Sequence, residues 1–189
     1  MNRRRLLGAL AAAPATALPL AAAPPPDSGW TDPFAKAWHD SFASHWQDTC
    51  EYTLAVLEAM PAEGFDSKPN PAQRTFAEQL AHLALANVAY FRAFGIGEPP
   101  QRSEATGKEG VRTYVSACFD YVSEVLGKLS EKDMLRTDMK FSSSRPAHSG
   151  TDLCMRAYMH TAHHRGQLVV YLRVKGITPP AWKFEPTAT

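Results

Sequence analysis

The sequence predicts an all-α protein built as a four-helix bundle. Four long stretches carry apolar residues at three- and four-residue steps, clusters of Pro and Gly separate them, and no run alternates with period two as a half-buried strand would. The first helix is expected from Phe34 to Met60, where Phe34, Trp38, Phe42, Trp46, Tyr52, Val56 and Leu57 form an apolar stripe uninterrupted by Gly or Pro. Pro61, Gly64, Pro69 and Pro71 end that pattern. Thr75 then offers an N-cap with Glu78 three residues on, the capping-box spacing, and opens a second helix running to about Phe94. Gly95, Gly97, Pro99 and Pro100 stop it. A third run extends from about Lys108 to Leu129 through Val111, Val115, Phe119, Val122 and Leu126. Ser142 to Gly150 reads as a loop. Thr151 opens the fourth helix, which continues to Lys175 and stops at Gly176, with Pro179 and Pro180 preventing extension. The connections are long enough to leave the up-down order of the bundle open.

Residues ahead of the first helix read differently. Arg3, Arg4 and Arg5 precede an Ala- and Leu-rich stretch from Leu6 to Ala23, and no acidic residue appears before Asp27, which is the charge layout of a signal peptide. Consecutive arginines before a mildly apolar segment resemble the twin-arginine export signal, and Ala21-Ala22-Ala23 offers a processing site. Pro14 and Pro19 interrupt the stretch, and Ala contributes little to insertion, so a membrane anchor fits less well. The expected organisation is therefore a signal at residues 1–23, a Pro-rich leader at 24–33 and the helical domain at 34–189. A periplasmic or otherwise exported protein is expected.

Charge narrows the function further. The full chain has 20 Lys and Arg against 19 Asp and Glu. Removing the three leader arginines leaves 17 against 19, a net charge of −2, which excludes the basic excess of a dedicated nucleic-acid binder. Three cysteines at positions 50, 118 and 154 form no C-x-x-C pair, which excludes a zinc ribbon and a thioredoxin-type motif. One pair could bridge neighbouring helices, or all three could be separate buried thiols.

The histidines carry the chemistry. His160 and His164, four residues apart, project from one face of the fourth helix, so two imidazoles can reach one metal ion without bending the backbone. That face also bears Leu153, Ala157 and Leu168, so the pair lies on the stripe that should face the core. Buried imidazoles need partners, either hydrogen bonds or a metal. A third donor is available in His82, in the middle of the second helix, whose face runs through Gln79, Ala86, Ala89 and Ala93 and leaves space beside the ring.

Thr75-Phe76-Ala77-Glu78-Gln79-Leu80-Ala81-His82-Leu83 resembles the second-helix signature of the DinB/YfiT-like family, and His160-x-x-His163-His164-Arg165-Gly166-Gln167-Leu168 with Tyr171-Leu172-Arg173 resembles its last-helix signature. The resemblance spans about Phe34 to Pro180. It implies a DinB-like four-helix bundle with a divalent ion held by three histidines, which fall here on His82, His160 and His164. It also implies a metal-dependent hydrolase or thiol transferase, or a non-catalytic, metal-stabilised or stress-associated module.

Neighbouring residues receive lesser roles. His163 sits about a hundred degrees off the axis of the pair and is expected to support rather than ligate. Gly166 in mid-helix suggests close approach of another helix, Arg165 is expected to face solvent, and Gln167 to hydrogen-bond within the bundle. Glu78, one turn before His82, is the candidate proton-transfer group, and no catalytic residue is assigned. His39, His45 and His148 read as surface or packing residues. Three neutral imidazoles leave a position open for water or a small-molecule substrate. Zn, Ni, Fe and Mn all accept imidazole, with Zn favoured. Neither nucleic acid nor a stable membrane span is expected, and a homodimer is compatible with the chain.

Replacing Arg3, Arg4 and Arg5 by Lys is expected to retain the protein in the cytoplasm, as read by fractionation, whereas unchanged export would point to the general secretory route. Intact mass of the exported form is expected to place the new N-terminus near residues 22–30, and a mass that still includes Met1 excludes cleavage.

Overall fold

A computed structural model describes residues 30–101 and 106–181. The expected signal at 1–23 and most of the leader lie outside the described residues. The architecture is all-helical, with α1 at Pro33–Ala59, α2 at Phe76–Arg92, α3 at Gly107–Lys128, a short α4 at Glu131–Leu135 and α5 at Gly150–Val174. The four long helices match the sequence expectation to within two residues at each end. No described helix is long and apolar enough to cross a membrane.

Around the bundle the order is α1, α3, α2, α5, so that α1 and α2 lie on one diagonal and α3 and α5 on the other. Their side-chain contacts also give the directions. Phe42 meets Tyr158 and Thr53 meets Arg165, so α1 and α5 run parallel. Trp46 meets Phe119 and Glu58 meets Lys108, so α1 and α3 run antiparallel. Asn87 meets Thr161 and Gln79 meets His164, so α2 and α5 are antiparallel. Hence α2 and α3, although adjacent, point the same way. After α2 the chain has to return to the opposite end of the bundle before α3 begins, a crossover connection of the kind some bundles contain.

The core is aromatic at its centre. Trp46, only 1% exposed, packs its indole 5.8 Å from Phe91 of α2 and 5.9 Å from Phe119 of α3. One side chain thus ties three helices together. The expected stripe on α1 holds from Phe42 inward, whereas Trp38 is partly buried and Phe34 is 77% exposed.

Caps define the ends. Thr75 and Glu78 form both bonds of the capping box at α2, and Ser149 accepts from Asp152 N at α5. Lys108 closes α1 by donating to the carbonyls of Glu58 and Met60, at 2.7 and 3.2 Å. Gly176 ends α5 at φ 73°, a left-handed conformation that Gly adopts without strain.

Helix α4 escaped the periodicity analysis because it is barely one turn long. Its signal is nevertheless present, since Ser130 and Asp133 form a complete capping box. Glu131 at its start accepts from the backbone N–H groups of Thr31 and Asp32 at 2.6 and 3.0 Å. These contacts pin the residues just before α1. Trp30, within the segment expected as leader, is buried against the ring of His39 at 4.7 Å, and His39 in turn donates to Leu126 O at 2.9 Å.

All three cysteines are free thiols. Burial pushes Cys50 and Cys154 up to about 12 and Cys118 to about 11, so none is a thiolate near neutral pH.

Two glycines behave oppositely to a simple reading. Gly150 opens α5 with the α4 backbone against it, and a Cβ there would collide with Asp133 O and Met134 Cα. Gly166, where a close helix was expected, has nothing within 4 Å of an added Cβ and is solvent-exposed. Chemical denaturation is therefore expected to show Gly166→Ala stabilising by about 1 kcal/mol through helix propensity, and Gly150→Ala destabilising by about 1–3 kcal/mol through overpacking. A stabilising Gly150→Ala would contradict the packing described.

Candidate metal centre

The antiparallel register of α2 and α5 sets His82 opposite His160 and His164. One ring nitrogen from each lies within 4.8 Å of the others. The ring centroids of His82 are 5.2 Å from His160 and 4.7 Å from His164, and the two α5 rings are 4.3 Å apart. His164 is buried, and His82 and His160 are half-buried.

Two observations bear on whether the cluster suits a metal. Nε2 of His160 and Nε2 of His164 face each other at 3.1 Å. Two nitrogens bound about 2.0–2.1 Å from one tetrahedral ion stand roughly 3.3 Å apart, so little movement is needed to accommodate one. With no cation, at most one proton can lie between these nitrogens. The second observation is His160 Nδ1, which is buried and has no hydrogen-bond partner. Pure hydrogen bonding leaves this imidazole incompletely satisfied. The three-His group could hold a metal ion, and the donor set fits a divalent one.

The surroundings keep the rings neutral. Burial, then repulsion from the neighbouring imidazoles, pushes His160 down to about 4. Burial likewise lowers His82 and His164, and the positive charge of Arg74 acts in the same direction on all three. Neutral imidazole is the ligating form.

Gln167 orients one of the three, and Gln79 bonds the same Gln167 amide. Gln167 Oε1 lies 2.9 Å from His164 Nδ1 and also accepts from Gln79 Nε2, which itself stands 2.6 Å from that Nδ1. An imidazole that donates from Nδ1 to the amide oxygen keeps the Nε2 lone pair directed into the cluster. Gln79 was noted only as a neighbour on the His82 face. Its role follows once α2 and α5 are antiparallel, because it then faces Gln167 across the seam.

The remaining expectations divide. His163 is exposed, with its ring 4.8 Å from that of His164 and its Nε2 3.1 Å from the amide of Gln167. Gln167 is within the bundle's bonding network as expected. Arg165 does not face solvent. It is 3% exposed, with its guanidinium 4.8 Å over the Tyr52 ring and Nη1 3.4 Å from both Thr49 O and Thr53 Oγ1, because the hundred-degree step past His164 turns it toward α1. Glu78 spends its carboxylate on the Thr75 N–H at 2.7 Å, and that bond holds it below the ordinary carboxylate range. His148 bonds Asp152 at 2.7 Å, beside the bridge pairing Met139 and His148.

Residues 34–188 match the DinB family. The chain belongs to this family. Among solved structures, a DinB-like protein from Bacillus cereus ATCC 10987 is 19% identical with a TM-score of 0.63, the alignment covering 76% of this chain and 96% of that one. A second DinB-like protein, YjoA from Bacillus subtilis, is 17% identical with a TM-score of 0.62, covering 75% and 96%. At these identities the likeness concerns the fold. No curated protein matches the sequence.

Proposed function

We propose that this DinB family member is an exported metal-binding protein in which His82, His160 and His164 hold one divalent ion, with zinc preferred over nickel, iron and manganese. The reading rests on the convergence of ring nitrogens from two helices, with two Nε2 atoms at 3.1 Å and all three donors within 4.8 Å. Three protein ligands leave a coordination position for water or a small-molecule substrate, the pattern of catalytic rather than closed structural sites. When bound, such an ion supplies Lewis acidity and lowers the pKa of water or of a thiol. Hydrolysis or thiol transfer are the reaction classes this supports.

The protein's own groups would position rather than react. Gln167 holds His164 and is itself held by Gln79, and the Arg74 charge disfavours protonation of all three rings. A second reading, a non-catalytic module stabilised by its metal, is favoured by one observation. Glu78, the nearest candidate base in sequence, already serves the α2 capping box.

Zinc titration of the metal-free protein is expected to give one equivalent per chain. His82→Ala, His160→Ala and His164→Ala should each weaken binding beyond the roughly 10–100-fold typical of losing an outer support, Gln167→Ala should fall within that range, and His163→Ala should change it far less. Free zinc at about 100 times Kd is expected to stabilise the wild type by about 2.7 kcal/mol, raising Tm, and the three ligand variants should lose that response while remaining helical. Absence of stoichiometric metal and of any chelator effect on Tm would overturn the reading.

A further inference from the structure

Beside the imidazole cluster lies an open pocket of about 560 Å³, within the size range of small-molecule sites. His164, Gln79 and Gln167 stand in its wall, together with Lys68, Arg74 and Tyr171 and the single carboxylate Glu78. Its charge is unbalanced. Two cations, Lys68 and Arg74, stand against one carboxylate, Glu78, which accepts from the Thr75 N–H and is favoured in its charged form by both cations, and neither cation makes an ion pair among the described residues.

The segment carrying these cations is held in place. Tyr171 of α5 donates its hydroxyl to Arg74 O at 2.6 Å, and Phe76, two residues on, packs 5.9 Å from the Tyr171 ring. Phe76 N and Ala77 N donate back to Ser67 O and Phe65 O, at 3.1 and 3.0 Å, which fixes the start of α2 against the loop bearing Lys68. The two cations therefore stand on an anchored rim, beside the wall that contains His164.

We propose that this pocket receives the oxyanion end of a small-molecule substrate, a carboxylate or phosphate set against Arg74 and Lys68, while the other end of the molecule reaches the three-imidazole centre. A guanidinium presents paired donors matched to carboxylate and phosphate oxygens, and Lys68 adds a point charge. The substrate is thus an anionic small molecule with a metal-binding group at its far end. The inference rests on the metal reading for that second anchor, but the anion end stands on Lys68, Arg74 and the pocket.

The test compares succinic monohydroxamate, with a carboxylate at one end and a metal-binding hydroxamate at the other, with butyrohydroxamate, in which a methyl group replaces the carboxylate, and with 3-phosphonopropionohydroxamate, by calorimetric titration of protein whose zinc content is measured on the same sample. The carboxylate ligand is expected to bind about tenfold more tightly than butyrohydroxamate, the scale of a charge-assisted hydrogen bond. Arg74→Gln combined with Lys68→Gln should abolish that preference when the proteins are compared at equal zinc occupancy. Both residues are exposed, so the helical circular dichroism should not change. Whichever of the carboxylate and phosphonate ligands binds more tightly identifies the anion, provided both exceed butyrohydroxamate. Equal binding of the carboxylate ligand and butyrohydroxamate by zinc-loaded protein, or a preference that survives the double replacement, overturns the proposal and leaves the metal reading standing. A protein that takes up no zinc instead overturns the metal reading, and the preference of the metal-free protein for the carboxylate ligand over butyrohydroxamate then decides the anion end by itself.

Discussion

The seam between α2 and α5 is the constraint from which most of this structure follows. Two helices usually meet through apolar ridges, but here they also meet through a line of polar groups, buried at Asn87, Thr161, Gln79 and His164 and half-buried at His82, His160 and Gln167. Asn87 and Thr161 bond each other at 2.9 and 3.1 Å, the three imidazoles come next, then Gln79 with Gln167, and finally Tyr171 with the Arg74 carbonyl. A buried polar atom left unpaired costs about 1–3 kcal/mol, so a slip of one helical turn would penalise every rung at once. Apolar packing tolerates sliding far better. Register and antiparallel direction are thus specified by the seam, and the loop ahead of α2 is placed with them.

Stability is concentrated elsewhere. The aromatic centre of Trp46, Phe91 and Phe119 joins α1, α2 and α3 without touching the imidazoles. On the other side of the bundle, Arg165 reaches toward α1 with its guanidinium over Tyr52. This arrangement lets the fold exist independently of whatever the histidines bind. It also explains how a polar seam is tolerated in a domain of this size, since the apolar burial it forgoes is supplied by three other helix pairs.

Much of this was legible in the sequence because it depends on local order. Helix limits follow from periodicity and caps, and the facing of His160 with His164 follows from the four-residue interval alone. The placement of His82 was legible as a candidate, since only the pairing of α2 with α5 makes it a neighbour. What escaped depends on angle or on distant contact. Arg165 is charged and was assigned to solvent by residue type, yet its position past His164 points it at α1, where Tyr52 and the α1 carbonyls replace water. Gly166 was read as a packing glycine, but the same helical rotation exposes it. Trp30 lies beyond a Pro-rich stretch, and nothing local signals that Glu131, a hundred residues away, will hold its neighbour Thr31.

The three imidazoles are not equivalently supported, and the difference matters for any chemistry at this centre. His164 is fixed from behind by the Gln167 amide oxygen, which Gln79 also bonds, whereas the buried Nδ1 of His160 has no hydrogen-bond partner. An outer hydrogen bond normally sets which nitrogen a ligating histidine offers and raises its basicity. Here that control is exerted on one α5 ring and omitted on the other. Partial burial, together with the unfavourable interaction a charged ring would have with the neighbouring imidazoles and Arg74, keeps His160 neutral without such a bond. In the proposed centre His164 would therefore act as the fixed reference ligand, and His160 as the ligand held by packing, between the His82 and Tyr90 rings at 5.2 and 6.2 Å. Packing constrains a ring less tightly than a braced hydrogen bond does, so adjustment to an incoming group would fall on His160 while His164 keeps its place beside the cationic pocket.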